Sequence, residues 1–541
     1  MNRRSRLTIV AGTLLFLGLA LWWSAWFPYA PGRVRAAIPA QAVLVGEHHH
    51  LAGDAGALLQ NASLRRSYSV MGGNIEDLDA FMVSGLGRWL TPCLGGRYAV
   101  TAYVPYSANG GPAAWMSASW GGTRAQATRW MMEAGLFPGW TRLPGRSPIA
   151  CYALDGAGAG PVLSAAVYEG VVLLCYSRDP GGVRRMVRRL AYGDTMSDLP
   201  SDIPAAPDRL QLRWGDPDAP RGQLEWDLSS TNRLALHASW ASELALPLPR
   251  TWGHRGGFTG LVPGPTMPPM APTGCVQLAA SDRAVLAAGL GRVSGGVVLA
   301  PLALLEALPA AEQDEELWPL YIETLKPWLD EKGLAAIGLL REEYSGRLLS
   351  IKTPSLVAAF SVRPGLDLGT VLPPLLDRWN AALGSALLAR RRGDEGGSAF
   401  YIIDDARRGI YSSMKAEEKP VLWRSGNWLF IASNLKAAQE VNRRLEQPGG
   451  PHPQGDWWDH AAAAPDAMHT WVDFAAAGKA VRKLTALYAI VQIAQGEGRG
   501  PALALMEQTG QTVKALEPFG EGVASLCLKD DRWILDAGVG R

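Results

Sequence analysis

The chain has 541 residues, 48% of them hydrophobic and 19% charged, with 52 basic residues against 50 acidic and a net charge of +2. So much apolar content excludes intrinsic disorder, which needs low hydrophobicity and high net charge. The charge balance excludes a dedicated nucleic-acid binder, which carries a basic excess.

The first element is an apolar run, Leu7 to Phe27, of 21 uncharged residues. At about 1.5 Å per residue it reaches about 31 Å, enough to span a hydrocarbon core of roughly 30 Å. Arg3, Arg4 and Arg6 precede it, so the positive-inside rule puts residues 1–6 in the cytoplasm and Pro28 onward outside. Trp22, Trp23, Trp26 and Tyr29 stand at its outer end, where amphipathic rings favour the interface. A cleaved signal peptide has an apolar core of only about 7–15 residues ending on small side chains. This run is longer and ends on bulky ones, so it predicts an uncleaved transmembrane signal anchor. No second apolar run of 18 residues follows. The expected location is the cell membrane, single-pass, with the bulk of the chain extracytoplasmic, and periplasmic where the envelope has two membranes.

Beyond the anchor, two stretches share one pattern. Residues 168–177 give a Gly turn, an apolar strand and Ser177, then a helix ending Arg188-Arg189-Leu190. Residues 424–433 give a Gly turn, an apolar strand and Ser433, then a helix ending Arg443-Arg444-Leu445. The Ser suits a helix N-cap or the turn before it. Downstream, Ala205-Ala206-Pro207-Asp208 before the strand Leu210 to Trp214 matches Ala463-Ala464-Pro465-Asp466 before Met468 to Val472. The strand pair 222–228 and 233–236 matches 522–528 and 532–535, and the opening Ala42 to Val45 is set against Gly274 to Leu278.

These matches predict an α+β fold. It has two duplicated modules of mainly antiparallel sheet with covering helices, preceded by one N-terminal transmembrane helix. The expected modules are residues 36–245 and 275–541. The Pro-rich residues 246–274 between them read as an extended linker, because Pro removes donors and fixes φ. Expected strands include 98–104, 113–120, 334–340, 348–351 and 358–362. Expected helices include 123–134, 302–332, 368–388 and a pair over 475–519.

Ala37-Ile38-Pro39-Ala40-Gln41-Ala42-Val43-Leu44-Val45 directly after an anchor, with Gly426-Asn427-Trp428-Leu429-Phe430-Ile431-Ala432-Ser433 before a helix, resembles an uncharacterised bacterial family of membrane-anchored extracytoplasmic proteins, a domain of unknown function. The resemblance spans most of residues 36–541. It implies location and architecture, and brings no activity, cofactor or catalytic residue.

Candidate site residues each face a plainer reading. If the strand from Val43 continues, His48 and His50 share one face about 7 Å apart and could ligate Zn²⁺ or Cu²⁺ with a third ligand. The plainer reading is a polar strand end. Glu225 and Asp227 sit two apart on a strand and could serve as acid and base, but nothing separates their environments as that chemistry requires. Trp457 and Trp458 lie in a Pro- and Gly-rich stretch, where exposed rings stack on sugars and folded-back rings join the core. Arg184, Arg185, Arg188 and Arg189 give one helix a basic face suited to anionic lipid or polymer, or simply to water. The five cysteines contain no C-x-x-C pair, and a Cys93–Cys151 disulfide stays undecided by sequence. No nucleophile elbow, His-Glu-x-x-His or Walker loop occurs. No catalytic, cofactor-binding or metal residue is therefore assigned, and no cofactor is expected. The expected function is a membrane-anchored extracytoplasmic binding or scaffold protein with an envelope protein or polymer as partner. The alternative is a cell-envelope hydrolase with a site formed between the two modules.

Overall fold

A computed structural model describes residues 11–20, 22, 26–39, 42, 44–70, 74–104, 113–145, 149–154, 162–192, 209–215, 220–227, 233–241, 247–249, 261–263, 285–291, 294–302, 323–330, 333–345, 352–393, 399–406, 415–447, 454, 457–463, 467–495, 499–530 and 532–540. The fold is α+β, with two large antiparallel sheets and covering helices. The chain divides into two compact units. The first holds residues 1–61 and 74–234, and the second holds residues 62–73 and 235–541.

The first unit begins with helix α1 (Pro31–Ala36), β1 (Leu44–His48) and α2 (Leu51–Gln60). Helix α3 (Ala62–Val70) belongs to the second unit. The first unit continues with α4 (Ile75–Val83), α5 (Gly85–Gly95), β2 (Ala99–Val104), β3 (Ala114–Trp120) and α6 (Gly122–Glu133). Then come β4 (Trp140–Arg142), β5 (Cys151–Leu154), β6 (Val162–Tyr168), β7 (Val171–Ser177), α7 (Gly182–Tyr192), β8 (Arg209–Gly215) and β9 (Pro220–Asp227). Its strands pair in the order β9-β8-β1-β2-β3-β7-β6-β5-β4, antiparallel throughout. Helix α7 shows why sequence fixes its packing. Val183, Met186 and Val187, at spacings of three and four, all point inward and are buried. They meet Val171, Leu173 and Cys175 of β7 in the core.

The second unit runs through β10 (Arg233–Ala241), β11 (Pro247–Pro249), β12 (Leu261–Pro263), β13 (Ser294–Pro301), β14 (Leu334–Ser345), β15 (Lys352–Ser361) and α8 (Leu368–Leu383). It continues with β16 (Leu387–Gly393), β17 (Ala399–Asp405), β18 (Val421–Ser425), β19 (Trp428–Ala432), α9 (Leu435–Glu446) and α10 (Trp457–Ala463). It closes with β20 (Met468–Asp473), α11 (Phe474–Gln495), α12 (Arg499–Leu516), β21 (Glu521–Lys529) and β22 (Arg532–Gly540). From β21 the order is β21-β20-β13-β14-β15-β19-β18-β17-β16. Beyond β21 lie β22 and then β10. Both sheets thus follow one plan: β7 lies between β3 and β6, as β19 lies between β15 and β18. The core of the second unit centres on Trp423, stacked on Phe430 at 4.9 Å and tilted against Phe400 at 5.7 Å.

Several expectations change. The expected opening strand at Gly274 to Leu278 lies outside the described residues. The Pro-rich stretch includes a short antiparallel ladder, Pro247↔Pro263 to Pro249↔Leu261, because the fixed φ of Pro is compatible with a strand. The expected helix over 368–388 stops at Leu383, where Gly384 takes a left-handed φ of 56° as a C-cap and β16 follows. The helical region 302–332 and the strand 348–351 fall mostly or wholly outside the described residues. Among the described residues no helix is long and apolar enough to cross a membrane. Of the predicted anchor, residues 11–20, 22, 26 and 27 are described; 11–20 and 22 are helical, and Trp26 and Phe27 are not.

The start of the first unit also moves. Phe27, Tyr29 and Ala30 pack against its core, and Val34, Ala37 and Ile38 are fully buried in it. Tyr29 sits edge-on to Trp120 at 5.7 Å, with the Arg97 guanidinium 4.0 Å from its ring centre. The ring placed by sequence at a membrane interface is therefore part of the fold, so the folded unit begins near residue 27 rather than 36.

Candidate functional site

Leu44-Val45-Gly46-Glu47-His48 is a strand with every residue buried. A carboxylate in such a strand needs partners, since an isolated buried charge is costly. Glu47 finds them on two elements. Arg35, in the last turn of α1, donates from Nη2 to Glu47 Oε2 at 2.9 Å and from Nε to the Tyr98 hydroxyl at 2.7 Å. Tyr98, just before β2, donates its hydroxyl to the same Oε2 at 3.0 Å. The three groups close a triangle that ties α1 to β1 and β2. The His49 ring leans on Tyr98 with centroids 4.8 Å apart.

Electrostatics acts on Tyr98 and Arg35 of this triangle and on His49 beside it. Burial, with Glu47 beside it, pushes the Tyr98 phenol far above its ordinary pKa, so it stays neutral. Burial works against the charge of Arg35, but Glu47 and Tyr98 outweigh it and hold the guanidinium pKa above its usual value. Burial lowers the pKa of His49 against the pull of Glu47, which favours the neutral ring. These groups fix one element to another.

A second buried charge cluster lies in the second unit. Asp404 of β17 accepts from the buried Lys419 ammonium, from Arg390 Nη2 at 3.0 Å and from its neighbour's backbone N–H at 2.9 Å. The Lys419 bond leads in holding the Asp404 carboxyl below the usual carboxylate range.

The residues singled out by sequence are placed as follows. β1 ends at His48, and His50 follows in a bend with φ 59°, so strand alternation does not put the two imidazoles on one face. His48 is buried, with Nδ1 2.7 Å from the His49 carbonyl. Among the described residues no group of three His, Cys, Asp or Glu is placed to hold a metal ion. Glu225 is half-buried on β9, and the side chain of Asp227 lies outside the described residues. Trp457 and Trp458 are buried, edge-to-face at 4.8 Å, in the core of the second unit, so neither ring is open for stacking on a sugar. Arg185 pairs with Asp179 at 2.6 Å, Arg184 donates to the Pro144 carbonyl, and Arg188 is exposed. Cys93 and Cys151 are both free thiols, in different core clusters.

Sequence reasoning passed over Arg35 and Tyr98, and met Glu47 only as the head of the polar cluster Glu47-His48-His49-His50. The available signal was the single carboxylate in an apolar strand, which the three following His outshone.

Comparison with protein-family models, curated proteins and solved structures finds no match to this chain.

Proposed function

We propose that the chain is a single-pass, membrane-anchored extracytoplasmic protein that binds or scaffolds, built from two duplicated α+β modules. The observation that carries the anchor is the helix over residues 11–20. All ten residues are exposed, Leu14 by 64% and Phe16 by 71%. Leaving such side chains in water forgoes about 1.5–3 kcal/mol each, and lipid is the environment that recovers it. Arg3, Arg4 and Arg6 before it set the orientation. The duplication is supported by the shared strand order and by the helices that follow β3 and β15, and β7 and β19, in both units. The resemblance to anchored extracytoplasmic proteins points the same way. Binding suits where the molecule puts its charge and its apolar surface: buried ion pairs act as struts, and large apolar side chains remain outside.

The test is protease added to intact spheroplasts carrying the full chain. Residues beyond 28 are expected to be digested while a tag on Met1 survives. A protected bulk would overturn the orientation, and release by alkaline carbonate would overturn the anchor.

A further inference from the structure

The two sheets end differently at β4 and β16. The outermost strand of the first, β4, has three residues, and so short an edge offers little for another chain to pair with. The outermost strand of the second, β16, has seven, and among the described residues its strand partner is β17 alone.

The ladder decides which backbone groups of β16 face outward. The Ala386 carbonyl accepts from the Ala406 N–H at 2.8 Å, so by alternation Leu388, Arg390 and Arg392 turn their N–H and C=O groups inward to β17. Leu387, Ala389, Arg391 and Gly393 turn theirs outward. The Asn380 carboxamide of α8 satisfies the first of these. Its Nδ2 donates to the Leu387 carbonyl at 2.8 Å, and its Oδ1 accepts the Leu387 N–H at 2.6 Å. A side-chain amide thus makes both bonds that a residue of a neighbouring strand would make. Beyond it, no described residue pairs with the outward backbone groups of Ala389, Arg391 and Gly393. A Cβ added at Gly393 would meet nothing within 4 Å, so the space there is open.

The side chains give this edge its sign. Arg390, Arg391 and Arg392 are consecutive and exposed, with Arg390 and Arg392 on one face of the sheet and Arg391 on the other. Their acidic neighbours belong to inner elements. Arg390 shares Asp404 with the buried Lys419, so one carboxylate faces two cations. Arg392 reaches Glu417 only at 3.7 Å. Arg391 acts on Asp367, a carboxylate already bonded by the Thr370 hydroxyl at 2.6 Å and the Gly369 N–H at 3.1 Å. In the sequence Asp394 and Glu395 follow Gly393, so the positive stretch is confined to the three Arg. A charged edge is also a common guard against edge-to-edge pairing. Three Arg repel a second copy of β16, and the same charge attracts a strand that carries carboxylates.

We infer that β16 is a docking edge for an extended acidic peptide segment of a partner protein, which joins the second sheet as a further strand. Its backbone bonds the outward groups of Ala389, Arg391 and Gly393, and its carboxylates face Arg390, Arg391 and Arg392. The inference rests on the binding reading above and gives it a partner; it makes no use of the anchor.

The test uses the full chain in detergent and a fluorescein-labelled peptide, Val-Thr-Glu-Glu-Glu-Thr-Val, followed by anisotropy. Saturable binding is expected, and the same peptide with Lys in place of Glu is expected to bind at least about tenfold more weakly. Two further peptides carry N-methyl groups at alternate residues, one peptide in each frame. Only one frame removes the donors that face β16, so one of the two is expected to bind at least about tenfold more weakly than the other. The paired variant Arg391→Glu and Arg392→Glu, both at exposed positions, is expected to lower affinity for the Glu peptide at least about tenfold while the cooperative melt is kept. If that variant does not fold, the two frames decide. Equal affinity in the two frames, or equal affinity for the Lys peptide, would overturn the inference. Absence of binding would overturn it and leave the anchored reading to the spheroplast digestion. A dimer in sedimentation that the paired variant dissolves, without peptide binding, would overturn it in favour of a second copy.

Discussion

Gly182→Ala tests how closely α7 sits on β7. Gly182 is the first residue of α7, and a Cβ added there would lie 2.4 Å from the Cys175 sulfur, more than an ångström inside normal contact. Cys175 is fully buried between strand and helix and cannot swing into solvent. The helix must therefore lift or the strand must shift, and overpacking of this kind costs about 1–3 kcal/mol. The gain in helix propensity from Gly to Ala, at most about 1 kcal/mol, offsets part of this. A net loss of about 1–2 kcal/mol is expected, which lowers the melting temperature by about 2–8 °C for a unit of this size. The decisive assay is a cycle with Cys175→Ala, followed by urea denaturation. Removing the sulfur leaves room for the new methyl, so the double variant should recover about 1 kcal/mol relative to the sum of the single losses. Additive losses, or a neutral Gly182→Ala, would refute the close approach.

Other expectations concern charge and thiols. Glu47→Gln should cost about 2–3 kcal/mol and Tyr98→Phe about 1–2, with the pair costing less than the sum because they share one oxygen; additive urea-unfolding losses would show that no triangle exists. Asp404 has a folded pKa below its unfolded value, so its contribution is present above that value, about 3.9, and lost as pH falls through it toward the lowered one. Asp404→Asn should therefore flatten the acid limb of the stability curve, and an unchanged limb would contradict the pairing. Tyr98 has a raised folded pKa, so its contribution is present below about pH 10 and lost above it, and Tyr98→Phe should reduce alkaline unfolding. Burial pushes the Cys175 thiol up to about 12 and raises Cys93 and Cys151, so iodoacetamide at neutral pH should label all three only after unfolding. Labelling of Cys175 in the native protein, followed by mass spectrometry, would contradict its burial.

Local pattern was enough for much of the architecture. The Gly turns, apolar runs and Ser exits around residues 168–177 and 424–433 located β7 and β19 and the helices after them, because these signals arise within a few residues of chain. Composition alone marked the exposed apolar helix near the N-terminus. Tertiary structure decided what depends on residues distant in sequence. It paired Arg35 and Tyr98 with Glu47, although 63 residues separate Arg35 from Tyr98. It packed Tyr29, expected at a membrane interface, against the core of the first unit, and of the two readings of Trp457 and Trp458 it chose the rings folded back on the core. It also assigned residues 62–73 to the second unit, where Ser63 reaches the Pro518 carbonyl at 2.7 Å. A periodicity reports which face of an element is apolar, not which distant element covers it, and a buried charge is specified by a partner whose position only the folded chain supplies.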